Sequence, residues 1–95
     1  MELDELVHQP TRLRIFAYLY RHGAATFPEL QEELDVTEGN LSSHAQTMED
    51  AGALVVEKEF VDRRPRTTYR LTEDGTALFE EHVATLERLI DGLEE

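Results

Sequence analysis

The sequence contains no cysteine, which excludes disulfide bridges, thiolate metal sites and thiol nucleophiles at the outset. No apolar run approaches the roughly 20 residues that a membrane-spanning helix requires. The opening residues MELDELVHQP lack the basic-then-apolar order of a signal peptide, so a cytoplasmic protein with no membrane partner is expected. Internal repeats, linkers and low-complexity tracts are also missing. With 95 residues, 40% of them hydrophobic, the chain can build one core but hardly two, and it reads as a single domain over 1–95.

Lysine is scarce as well. Eight of the nine basic residues are arginine, and Lys58 is the one lysine, against 21 acids and a net charge of -12. Such an acidic surface argues at first against a polyanionic partner. The distribution matters more than the sum. Residues 1–56 carry 10 acids and 3 bases and residues 71–95 carry 8 acids and 1 base, whereas 57–70 carry 3 acids and 5 bases. Within that basic stretch, residues 63–70 hold Arg63, Arg64, Arg66 and Arg70 and no acid. A glutamate-rich, lysine-poor composition resembles that of soluble proteins from salt-accumulating halophilic archaea. In molar salt the Debye length falls to about 3 Å, so distant acids would barely repel phosphate.

Hydrophobic periodicity divides the chain into elements. Leu3, Leu6 and Val7 form a short apolar pattern ahead of Pro10. From there Leu13, Phe16, Ala17, Leu19 and Tyr20 predict a helix over about 10–22, with Pro10 in its first turn and Gly23 as its stop. Thr26 and Glu29 have capping-box spacing ahead of Leu30 and Leu34, which predicts a helix over about 27–34. After a break at Asp35-Val36, Thr37 caps a third helix whose inner stripe is Leu41, Ala45 and Met48 and whose stop is Gly52. Two helices joined by about three residues make a helix-turn-helix, here over about 27–51.

From Leu54 the pattern becomes β-rich: LVVEKEFV, then DRRPR, then TTYRL, a hairpin over 54–71 with a basic tip that Pro65 is expected to stiffen. Thr72 caps a last helix over 73–93, with Leu78, Phe79, His82, Val83, Leu86, Leu89, Ile90 and Leu93 recurring at threes and fours. The predicted class is mainly α with a small β-hairpin.

Three stretches carry a resemblance to a known family: HQPTRLRIFAYLY, LDVTEGNLSSHAQTMEDAGALVVEKEF and RRPRTTYRLTEDG. Their order resembles the winged helix-turn-helix transcriptional regulators of the MarR and ArsR type, in their small one-domain archaeal or bacterial form, over about residues 6–80. The resemblance implies a homodimer whose third helix enters the major groove of double-stranded DNA and whose hairpin wing follows the adjacent backbone or minor groove. It also puts a larger aliphatic where this chain has Ala45, so looser packing is expected under the third helix.

With Leu41, Ala45 and Met48 facing inward, Ser42, Ser43, Gln46 and Thr47 face outward, and Asn40 lies at the N-terminal end. Short polar side chains of this kind suit hydrogen bonding to base edges. Arg63, Arg64 and Arg66, followed by Arg70 on the return strand, offer planar guanidinium groups that match phosphate. The competing reading of this hairpin is charge balance with Glu57 and Glu59. Arg12 and Arg14 suit either the DNA backbone or intramolecular pairing.

The C-terminal stripe is longer than so small a core can cover. A symmetric helical contact is therefore expected through Phe79, Val83, Leu86, Ile90 and Leu93, helped by Leu3 and Leu6. Two recognition helices would then meet half-sites roughly 34 Å apart. His8, His22, His44 and His82 have no compact metal-ligand spacing, with His44 expected beside the buried edge of the third helix and His82 on the dimer stripe. Ser42-Ser43-His44 is not a catalytic constellation. Neither a cofactor nor an enzymatic reaction is implied, and no effector can be read from these residues. A second reading is an interaction module whose acidic surface docks a protein without binding DNA.

Overall fold

The structure is a computed structural model and describes residues 3–93. The elements run α1 (Glu5–His8), α2 (Pro10–His22), β1 (Ala25–Thr26), α3 (Phe27–Leu34), α4 (Glu38–Asp50), β2 (Leu54–Val61), β3 (Arg64–Leu71) and α5 (Glu73–Leu93). This is a winged helix with a long C-terminal helix.

Side chains fix most of the helix ends. The Gln9 side chain accepts the Arg12 N–H at 2.8 Å ahead of Pro10, and Gly23, at φ 85°, closes α2 by donating its N–H to Leu19. Thr26 accepts the Glu29 N–H while its hydroxyl donates to the Glu29 carboxylate at 3.0 Å, which starts α3. Thr37 accepts the Asn40 N–H at 3.1 Å and starts α4.

At the other end of α4 the Gly52 N–H donates to Glu49 O and the Ala53 N–H to Met48 O, with Gly52 at φ 78°. This is a Schellman motif, and it delivers Ala53 into the core. Thr72 ties the next helix to the same corner. Its hydroxyl donates to Gly52 O at 2.7 Å and accepts the Gly75 N–H at 2.9 Å.

The sheet is antiparallel in the order β1–β3–β2. Strand β1 was not anticipated from the sequence: two residues, paired Ala25 to Tyr69 and Thr26 to Thr68, are too few to show alternation. Because β1 reaches only Thr68, the ribbon from Thr67 outward is two-stranded and projects from the body.

Phe16, Ile15, Leu19, Leu30, Leu41, Met48 and Val7 form the centre of the core. Phe79 of α5 lies parallel to Phe16 with ring centroids 6.1 Å apart, and Tyr20 approaches it at 5.1 Å. Phe79 is therefore 8% exposed and packs into its own chain, which corrects its expected place in a dimer contact. His82 is likewise covered: it is 3% exposed and sits 3.3 Å from the His8 ring nitrogen, under α1 and off the open stripe.

Candidate nucleic-acid interface

Leu41, Ala45 and Met48 are buried, and they fix the rotation of α4 about its axis. Asn40, Ser42, Ser43, Gln46 and Thr47 consequently all lie on its exposed side. Some of their polar capacity is already in use. The Thr47 hydroxyl donates to Ser43 O, and the Gln46 amide donates to Asp50 at 2.8 Å and to Glu49 at 3.4 Å. The helix carries Glu38, Glu49 and Asp50 and no arginine or lysine, so attraction for phosphate must come from elsewhere.

Arg12 holds α4 from behind. Its Nη1 donates to His44 Nδ1 at 3.2 Å and its Nε to Leu6 O at 2.8 Å, joining α1, α2 and α4. Burial, followed by the Arg12 charge, pushes the His44 pKa below its ordinary value. Arg14 donates to Leu34 O at 3.1 Å and to Glu33 O. Both arginines thus act within the chain, through carbonyls and a histidine.

The wing turn consists of Asp62 and Arg63 alone, both at positive φ, 52° and 66°. Two such residues between paired strands form a type I′ turn, whose twist matches that of the ribbon. Pro65 was expected to stiffen this turn; it lies in β3 instead, opposite Phe60. In a two-residue hairpin the pair flanking the turn, Val61 and Arg64, is hydrogen-bonded, so the next pair is not. The missing Pro65 N–H therefore removes no ladder bond.

Alternation sorts the wing into two faces. One presents Arg64, Arg66, Thr68 and Arg70 together with Val61, Glu59, Glu57 and Val55. There Arg66 pairs with Glu59 at 3.9 Å and Arg70 with Glu57. Charge balance within the hairpin thus accounts for two of the four arginines. Arg63 and Arg64 make no ion pair among the described residues.

The other face runs from buried Leu54 and Tyr69 through Val56 to Lys58, Thr67, Phe60 and Pro65. It meets α4 across a groove of about 480 Å3 lined by Ser42, Ala45, Gln46, Glu49, Val56, Lys58 and Tyr69. The small Ala45 side chain lies at the base of this opening. Lys58 is a candidate contact that the sequence reading left out, although alternation from Val56 places it there. Phe60 was missed too: at 79% exposure it is a fully presented aromatic ring at the end of the wing.

The winged helix DNA-binding domain family matches residues 11–90. The chain belongs to that family. The transcriptional regulator homologue of Pyrococcus horikoshii OT3 is 34% identical with a TM-score of 0.91, covering 97% of this chain and 91% of that one. A regulator structure ascribed to the MarR family, from Enterococcus faecalis V583, is 26% identical with a TM-score of 0.78, covering 94% and 79%. An uncharacterized protein of Methanocaldococcus jannaschii is 27% identical, covering 95% of this winged helix chain and 98% of its relative. Fold and family are those of DNA-binding transcriptional regulators.

On α5 the open apolar surface is Leu89, Ile90 and Leu93, exposed by 40%, 56% and 85%. Val83 and Leu86 are half-buried, as are Leu3 and Leu6. No helix among the described residues is long and apolar enough to cross a membrane. No group of three or more histidines and carboxylates there could hold a metal ion.

Proposed function

We propose that this winged helix protein is a homodimeric, sequence-specific transcriptional regulator. In this reading α4 lies in the major groove, with Asn40, Ser42, Ser43, Gln46 and Thr47 against the base edges. Arg63 and Arg64 grip the adjacent backbone or minor groove, and Arg66 and Arg70 join them when DNA phosphate displaces Glu59 and Glu57. The observation that carries the proposal is the pairing of an outward polar helix face with a wing tip whose two arginines are unpaired among the described residues.

Dimerisation would run through the last turns of α5, where Leu89, Ile90 and Leu93 extend the stripe of Val83 and Leu86. Burying one such side chain contributes about 1.5–3 kcal/mol, and a two-fold contact would bury each twice. The acidic remainder of the surface suits a protein working in concentrated salt, where screening removes long-range repulsion.

Binding to the DNA around the protein's own gene, measured across salt concentrations, tests this reading. The wild type should bind, and an Arg63, Arg64 and Arg66 triple alanine variant should bind far more weakly at every sequence. Equal, weak binding by both would replace the proposal with a protein-docking module.

A further inference from the structure

Phe60 has no role in the contacts described so far. The ring is 79% exposed, although the same sheet face holds Leu54 and Tyr69 in the core. Its cross-strand partner Pro65 is exposed as well. In a non-hydrogen-bonded pair the two Cα atoms approach to about 4.5 Å, so ring and pyrrolidine form one stiff apolar tip.

The surroundings say what this tip can meet. Arg63 and Arg64 lie between Phe60 and Pro65 along the chain and have no acidic partner among the described residues. An apolar protein surface would leave both guanidinium groups desolvated and unpaired, which is costly. A nucleic-acid groove offers both requirements together: phosphates for the arginines and apolar sugar and base surfaces for the ring. Phe60 also lies two residues beyond Lys58 on one face, about 7 Å further from the groove shared with α4. It therefore reaches past the DNA surface that α4 would occupy.

We infer that Phe60, backed by Pro65, is a wedge that enters the minor groove beside the α4 site and bends the duplex. The inference rests on the DNA-binding reading above. The minor groove of B-form DNA is about 6 Å wide, too narrow for a two-stranded tip unless it opens. Apolar side chains inserted at base steps open it and kink the duplex by roughly 20–90°.

The experiment uses the full chain and duplexes that the wild type itself selects from a random-sequence pool. Affinity is measured by titration and bending by energy transfer between dyes at the duplex ends, for wild type, Phe60→Ala, Phe60→Leu and Arg63→Ala/Arg64→Ala. The wedge predicts that Phe60→Ala folds normally, selects the same bases, binds about tenfold more weakly and loses the bend, while Phe60→Leu retains part of it. The double arginine variant should lose affinity but still bend whatever duplex it occupies at saturation. A wild type that binds without bending, or a Phe60→Ala that bends as the wild type does, overturns the wedge and leaves the DNA reading standing. Loss of self-association in Phe60→Ala with bending intact also overturns it and assigns the tip to a second copy. A wild type that selects no duplex overturns both readings.

Discussion

Arg12 donates from Nη1 to Nδ1 of His44 at 3.2 Å, which ties the start of α2 to the middle of α4. Arginine has no acceptor, so Nδ1 of His44 must be the unprotonated nitrogen and the proton of the neutral ring lies on Nε2. Protonating Nδ1 would remove the bond and set two cations side by side.

The first prediction concerns pH. Burial, then the Arg12 charge, lowers the His44 pKa, and burial, then His8, lowers that of His82 against an opposing pull from Asp4. Both folded-state values therefore lie below the ordinary 6.5, and the unfolded chain takes up protons first as the pH falls. Their contribution to stability is complete above about 6.5 and is lost as the pH drops through the folded-state values. Melting temperature measured from pH 7.5 to 5 should fall, and a His44→Gln/His82→Gln variant should show a flatter profile in that window. Identical slopes would remove the histidines from the explanation.

The second concerns Gly75. A Cβ built there would stand 2.1 Å from the Ala53 carbonyl oxygen, a backbone atom that cannot rotate away. Gly75→Ala should cost about 2–3 kcal/mol by overpacking, or roughly 10–20 °C in melting temperature for a chain of this size. Gly39→Ala is the control, since a Cβ there meets nothing within 4 Å.

Arg63 carries a backbone cost of its own at φ 66°. The left-handed region costs a non-glycine residue about 1–2 kcal/mol. Arg63→Gly should therefore raise stability by about 1 kcal/mol while weakening DNA binding, a trade measurable by denaturant titration and by affinity on one sample. Unchanged affinity would assign Arg63 to the turn alone.

The ion pairs of the wing make a fourth test. Glu57→Gln and Glu59→Gln remove the carboxylates that phosphate must displace from Arg70 and Arg66, so DNA affinity should rise, whereas Arg70→Gln and Arg66→Gln should each make the negative slope of log affinity against log salt about 0.9 shallower. A slope unaffected by both arginine changes would place the two arginines outside the DNA contact.

The apolar stripe of α5 divides into two halves with different readouts. Phe79→Ala should lower stability by about 3–5 kcal/mol, because the ring fills the core against Phe16. Ile90→Glu/Leu93→Glu should leave the fold intact and give a monomer by light scattering, since both side chains are open. Self-association unaffected by that double change would move the interface elsewhere.

What the sequence determined by itself is local. Gly23, Thr26, Thr37, Gly52 and, where it accepts the Gly75 N–H, Thr72 act on hydrogen bonds within a few residues of themselves, and Pro10 needs only a place in a first turn, so the helix ends could be read from spacing. The outward face of α4 followed from three buried positions at helical intervals, and the two faces of the wing from alternation. Tertiary packing decided the rest. Phe79, Ile90 and Leu93 share one periodic stripe, yet Phe79 meets Phe16 and Tyr20 of α2 while Ile90 and Leu93 lie in later turns of α5 and stay open. Strand β1 exists only because β3 offers it an edge. Glu57 and Glu59 reach Arg70 and Arg66 through a register fixed by a two-residue turn, which leaves Arg63 and Arg64 at the tip. His8 meets His82 from 74 positions away, where no sequence pattern reaches.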